Sequence, residues 1–167
     1  RTAKTVDPAE FTSRRAELLA SDEVLWIDLS EPTPEEEQLV LQQFFPIHAL
    51  SFEDVNRLRR EPDAPPHLPK VEEFADYLLV IVNPLTPDAP SYVSQPHNLH
   101  FEAPPLTQLS AVLTERILIT HHYQPLDCVG QLTTYLNRHQ AQADRGPDYL
   151  FHLILDSTVD QYAPVLD

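Results

Sequence analysis

Glycine is almost missing from this sequence. Gly130 and Gly146 are the only two in 167 residues, which excludes a glycine-rich loop that cradles a phosphate. Cysteine is scarcer still: Cys128 stands alone, so no internal disulfide forms and a reducing compartment is favoured. With no histidine at a telling position, that thiol reads as buried and inert rather than nucleophilic. Methionine does not occur and the chain opens at Arg1, which suggests a piece of a longer protein. Basic residues are few, 11 against 26 acidic ones, for a formal charge of −15. So acidic a surface repels nucleic-acid phosphates and anionic lipid headgroups, which makes neither a partner, whereas hard cations suit it. Long hydrophobic runs are lacking too. Leu78-Leu79-Val80-Ile81-Val82 falls far short of the roughly 20 residues that cross a bilayer, and the mixed, charged N-terminus is no signal peptide. The 42% apolar content still suffices for one ordinary core, so a single domain is expected over residues 1–167.

What the chain has in plenty is proline. Its 17 prolines are about twice the usual share, and they cluster at 61–69 and 84–106, where they favour extended or irregular backbone. Between these breaks the patterns are regular. Residues 24–29 read as a strand. Thr33-Pro34-Glu35-Glu36 opens a helix, with Thr33 as cap, Pro34 in the first turn and Glu36 completing a capping box. That helix carries Leu39, Val40, Phe44 and Phe45 toward a core, and a short second one spans 49–57 with Leu50, Val55 and Leu58 near one face. Strands at 71–74 and 77–82 turn around Asp76, and 109–113 and 117–121 form a hairpin turning at Glu115-Arg116. Helices at 125–143 and from Asp148 to the chain end, announced by Gly146-Pro147, complete the pattern. Strands interspersed with helices make a sheet with helices packed on it, of the α/β or α+β class.

Few residues point to chemistry. Glu53-Asp54 sits on the second short helix, and Asp156 and Asp160 lie one turn apart on the last helix and share a face, with Asp167 near the same face. Mg²⁺ and Ca²⁺ take oxygen ligands, and Mg²⁺ keeps several waters while using one or two carboxylates, so sparse carboxylates can serve it; spacing alone favours a solvated acidic face over a metal site. His121-His122 ends a strand, where neighbours point to opposite faces and cannot share one ion. No zinc-type His/Glu or Cys/His spacing occurs, and no Gly-x-Ser-x-Gly elbow. Arg57, Arg59 and Arg60 follow Glu53-Asp54 and complement a helix C-terminus.

The order of these segments resembles the cytoplasmic domain of the CorA family of divalent-cation transporters. Trp26-Ile27-Asp28-Leu29 with a Pro34-Glu35-Glu36 helix start resembles its opening, and Phe44-Phe45-Pro46-Ile47-His48-Ala49-Leu50 followed by Phe52-Glu53-Asp54-Val55 resembles its "F-x-I-H-x-L…E-D" segment. Pro69-Lys70-Val71-Glu72-Glu73-Phe74-Ala75-Asp76-Tyr77-Leu78 is similar to its "P-K-V/I-E-x-F/Y-x-D/N-Y" signature. The hairpin through His121-His122 and the run Asp148-Tyr149-Leu150-Phe151 with Asp156, Val159, Asp160 and Tyr162 resemble its late hairpin and the start of its stalk. A short basic link usually joins E-D to P-K in the family; residues 61–68 here add a proline-rich stretch.

The resemblance implies a three-layer α/β/α sandwich with a mixed, largely antiparallel sheet, ending in the start of a stalk helix that leads to membrane spans and a Gly-Met-Asn pore motif beyond residue 167. It implies a homopentamer at the cytoplasmic face of the inner membrane, attached through those later segments. Divalent cations bound between subunits would favour the closed pore, with Asp54 as a ligand and Glu53, Asp156 and Asp160 nearby. The expected function is thus a regulatory, metal-sensing domain rather than an enzyme, its ion Mg²⁺, with Co²⁺, Ni²⁺ or Zn²⁺ as alternatives. Two other readings stand beside it: the zinc-transporting branch of the same superfamily, and, more remotely, a stand-alone metal-dependent hydrolase.

Overall fold

The Asp7 carboxylate accepts the Glu10 backbone N–H at 2.8 Å and Pro8 occupies the first turn, so a helix starts here, α1 (Pro8–Ala20). In the computed structural model, which describes residues 6–87 and 105–166 and side chains as far as Ala163, α1 is followed by β1 (Leu25–Ser30) and α2 (Pro34–Gln38). The capping box is as expected: Thr33 Oγ1 accepts the Glu36 N–H at 3.2 Å and Glu36 Oε2 accepts the Thr33 N–H at 2.8 Å. The helix then widens into π-helical turns over Leu39–Phe44, closed by Phe45 N–H donating to Val40 O at 2.9 Å. Two short helices, α3 (Ala49–Val55) and α4 (Arg57–Arg60), precede β2 (Lys70–Glu73) and β3 (Leu78–Val82). Then come β4 (Leu109–Leu113), β5 (Ile117–His122), α5 (Asp127–Arg138), a 3-10 segment (Gln140–Arg145) and α6 (Pro147–Leu166). Gly146, at φ 110°, makes the break before α6 in a region that favours glycine.

The five strands lie in the order β1-β5-β4-β3-β2. β1 runs parallel to β5, Leu25 opposite Ile117 and Ser30 opposite His122, and the other three pairs are antiparallel. Because side chains alternate along a strand, the sheet has two apolar faces. On one, Leu29, Leu79, Ile81, Val112, Ile117 and Ile119 meet Leu18 of α1, Val40, Leu41 and Phe44 of the π-helical turns and Val55 of α3. On the other, Leu109, Ala111 and Leu118 meet Cys128, Val129, Leu132 and Leu136 of α5 and Leu150, Phe151 and Ile154 of α6. Each such buried aliphatic side chain contributes about 1.5–3 kcal/mol relative to exposure. Two helical layers around one mixed sheet make the expected α/β/α sandwich.

The details depart from the expectations in four places. No element was expected over residues 8–20, where α1 forms. The 49–57 helix breaks at Asn56, and Leu50, expected on its apolar face, is 62% exposed because α3 turns that side to solvent. The 125–143 helix ends at Arg138 and continues as the 3-10 segment. The proline-rich stretch at 84–106 lies mostly outside the described residues; its two ends pair, with a Leu85–Leu106 bridge and Thr86 N–H donating to Pro105 O at 2.9 Å. Among the described residues no helix is long and apolar enough to cross a membrane.

Candidate functional site

Asp54 lies in the last turn of α3, a helix that is fixed at both ends. At the start of α3, the Tyr77 hydroxyl accepts the His48 N–H at 2.9 Å and lies 3.0 Å from Ser51 Oγ, while its ring stacks on Phe74 at 4.5 Å. At the end, the buried Gln108 donates from Nε2 to Asp54 O at 2.8 Å, and Arg60 donates to Glu53 O at 2.8 Å, as expected of a basic residue after a helix. The Asp54 carboxylate is thereby held in a charged cluster. Lys70 Nζ stands 2.6 Å from its Oδ2 and 2.9 Å from Glu72 Oε1, and His67 Nε2 lies 3.4 Å from its Oδ1. Burial lowers the Lys70 pKa, but its hydrogen bonds to Asp54 and Glu72 outweigh that and raise it, so the side chain is a firm cation.

The proline-rich stretch at 61–68 builds one wall of this cluster. Arg57 donates to Pro65 O at 3.3 Å, His67 N–H donates to Gln108 Oε1 at 3.0 Å, and Asn83 Nδ2 donates to His67 O at 3.0 Å. These anchors set the His67 ring beside Asp54. Carboxylate oxygens are the right donors for a hard divalent ion, and Asp54 and Glu72 supply them around one point. Within the chain that point is taken by an ammonium.

Asp156 and Asp160 are elsewhere. Both are exposed on α6 and line an open groove of about 840 Å³ between α5 and α6, with Asp127, Tyr135, Arg138 and His139 on its other wall. Val55, beside Asp54, packs on one face of the sheet and Ile154, beside Asp156, on the other. The chain therefore brings Glu53 with Asp54 and Asp156 with Asp160, and keeps the two pairs on opposite sides of the sheet. Among the described residues no group of three or more His, Cys, Asp or Glu is poised around one ion. Asp167 lies outside the described residues.

Two buried polar networks flank the end of β5. His121 Nε2 lies 2.7 Å from Glu37 Oε1, the Tyr123 hydroxyl donates to the same oxygen, and Arg59 Nε donates to Glu37 Oε2 at 3.1 Å. Arg59 also donates to Pro32 O and lies over the Tyr123 ring at 4.9 Å. Burial pushes the Glu37 pKa up, but these donors outweigh it and hold it below the usual carboxylate value. Burial keeps His121 low, hence neutral and donating from Nε2. On the opposite face, Asp28 Oδ1 accepts from Thr120 Oγ1 at 2.6 Å and faces His122 Nε2 at 3.0 Å, while Trp26 Nε1 donates to Thr120 at 2.9 Å. The histidine pair thus points to opposite faces, as expected. The sequence reading missed Glu37, although it falls in helical phase with the buried Val40, Leu41 and Phe44. Cys128 is buried and its pKa is raised by that burial, an inert thiol.

A mixed five-stranded sheet between two helical layers, with Asp54 on one side of it and Asp156 and Asp160 on the other, defines an α/β/α sandwich domain. The sequence profile of the CorA-like Mg²⁺ transporter protein matches residues 21–167, and the chain belongs to that family. Among curated proteins none matches it in sequence. Solved structures match it in fold. The soluble domain of CorA from Methanocaldococcus jannaschii superposes with a TM-score of 0.57 at 21% identity, over 84% of this chain and 49% of that one. The ZntB cytoplasmic domain from Vibrio parahaemolyticus RIMD 2210633 gives 0.57 at 13%, over 85% and 50%. The full-length CmaX protein gives 0.55 at 18%, over 84% and 37%. The chain thus spans half or less of the structures it matches. CorA-family transporter domains are not enzymes, which sets the hydrolase reading aside.

Proposed function

We propose that the chain is the cytoplasmic, metal-sensing domain of a CorA-type divalent-cation transporter that carries Mg²⁺, with Co²⁺ and Ni²⁺ as further ions. In the assembled homopentamer at the inner face of the cell membrane, a partly hydrated divalent ion binds between neighbouring subunits. Asp54 is its principal ligand on this subunit, with Glu53 adjacent and Asp156 and Asp160 contributing from the other side of the sandwich. The ion neutralises like charges across the interface and favours the closed pore; without it, their repulsion loosens the interface.

The observation that carries this reading is the fixed position of Asp54. Tyr77, Gln108 and Arg60 pin the helix whose last turn holds it, and its carboxylate, though paired with Lys70, is 25% exposed. Asp54 and the Asp156/Asp160 pair lie on opposite sides of one domain, which supports ligands in two separate interfaces over one intramolecular site. A zinc transporter of the same superfamily is the second reading, favoured by the equal fold similarity to the ZntB cytoplasmic domain. The test is inhibition of ion flux by cytoplasmic Mg²⁺ in the full-length transporter: Asp54→Asn weakens it, and an unchanged inhibition curve removes Asp54 from the sensor. A transporter that moves Zn²⁺ and not Mg²⁺ favours the second reading.

A further inference from the structure

We infer that Lys70 is a tethered competitor for the divalent ion: its ammonium occupies the point shared by Asp54 and Glu72, and an ion binds there by displacing it. The inference rests on the metal-sensing reading of Asp54 and adds Glu72 to the ligand set. The Nζ atom stands 2.6 Å from Asp54 Oδ2 and 2.9 Å from Glu72 Oε1, so one cation already bridges the two carboxylates. A Mg²⁺ ion that takes carboxylate oxygen at about 2.0–2.1 Å cannot share that position with an ammonium. Displacement is feasible because Lys70 lies on the outermost strand of the sheet, its side chain 21% exposed and its flexible stem able to carry the charge into water. Its departure frees two carboxylates at once, so a second charged ligand appears with the vacancy. His67, 3.4 Å from Asp54 Oδ1, is the other titratable group in contact with this point, and the exposed Glu53 precedes Asp54 in the chain.

The competition sets affinity, and its size follows from that of a partly exposed ion pair: removing the Lys70 charge tightens Mg²⁺ binding by up to about fivefold. The experiment is an NMR titration of the 167-residue chain with Mg²⁺, read at the backbone amides around Asp54. Lys70→Gln, and Lys70→Met as a second neutral variant, give a Kd lower by up to about fivefold; Lys70→Arg, which keeps the charge, binds like the parent. In the Lys70→Gln background, Asp54→Asn or Glu72→Gln weakens binding again. If Asp54-dependent binding is present but both neutral variants bind no tighter than the parent, the competition is overturned while Asp54 stands as a ligand. If the neutral variants show no Asp54-dependent shift, the competition is overturned as well, and the flux measurement decides Asp54 by itself.

Discussion

His121 and His122 are adjacent in β5 and engage carboxylates on opposite faces of the sheet, Glu37 at 2.7 Å and Asp28 at 3.0 Å. Alternation along a strand imposes the separation, and the surroundings then divide their charge states. Both nitrogens of His122 face acceptors, Asp28 Oδ1 and Gln124 O, the latter at 2.6 Å, which is the environment of an imidazolium. Burial opposes that charge, but the hydrogen bond and attraction of Asp28 outweigh it and raise the His122 pKa. For His121 burial outweighs the hydrogen bond and attraction of Glu37, so it is held below its ordinary value and stays neutral.

The two histidines therefore give stability opposite slopes with pH. The folded-state pKa of His122 is raised, so its contribution is fully present below the ordinary value of 6.5 and is lost as pH rises through the folded value. That of His121 is lowered, so its contribution falls away as pH drops below 6.5. We predict that Asp28→Asn costs about 1–3 kcal/mol below pH 6.5 and less in alkaline solution. Urea unfolding, followed by the fluorescence of Trp26, the single tryptophan and itself bonded to Thr120, measures it. An equal loss at every pH contradicts the charged His122.

Glu37 is buried at 2% exposure and accepts from His121, Tyr123 and Arg59. Glu37→Gln keeps the shape but turns one acceptor into a donor facing donors, and leaves Arg59 without its counter-charge. The expected cost is roughly 3–5 kcal/mol, read as a shift in the urea midpoint. The same carboxylate has a lowered pKa, so its contribution is present above 4.5 and lost as pH falls through the folded value. A change within about 0.5 kcal/mol would show the network to be dispensable.

With a charge of −15, copies of this chain repel one another. Sedimentation of the 167-residue chain is expected to show a monomer or a weak oligomer at micromolar concentration, with association strengthening as salt screens the charge. A tight pentamer at low salt contradicts this.

The sheet was readable because its signals are local. Apolar runs marked all five strands to within a residue, and Thr33-Pro34-Glu36 marked the start of α2. The same cap is present at Asp7-Pro8-Glu10, but the α1 that follows has a weak apolar face, with Leu18 its one buried side chain. What was not legible is long-range. No pattern in β1 says that it pairs in parallel with β5, some ninety residues on. The acids of the candidate site were visible as residue types, but not the company they keep: Lys70 and His67 reach Asp54 through a strand edge and a proline-rich link.

Flux in the full-length transporter against cytoplasmic Mg²⁺ decides whether Asp54 is the sensor proposed above. Asp28→Asn is a poor control because Asp28 is bound to Thr120 and His122; Glu115→Gln, exposed at the β4–β5 turn, removes a charge without breaking a network. The account predicts that Asp54→Asn shifts the inhibition curve to higher Mg²⁺ while Glu115→Gln leaves it in place. Identical curves for Asp54→Asn and the parent would contradict it.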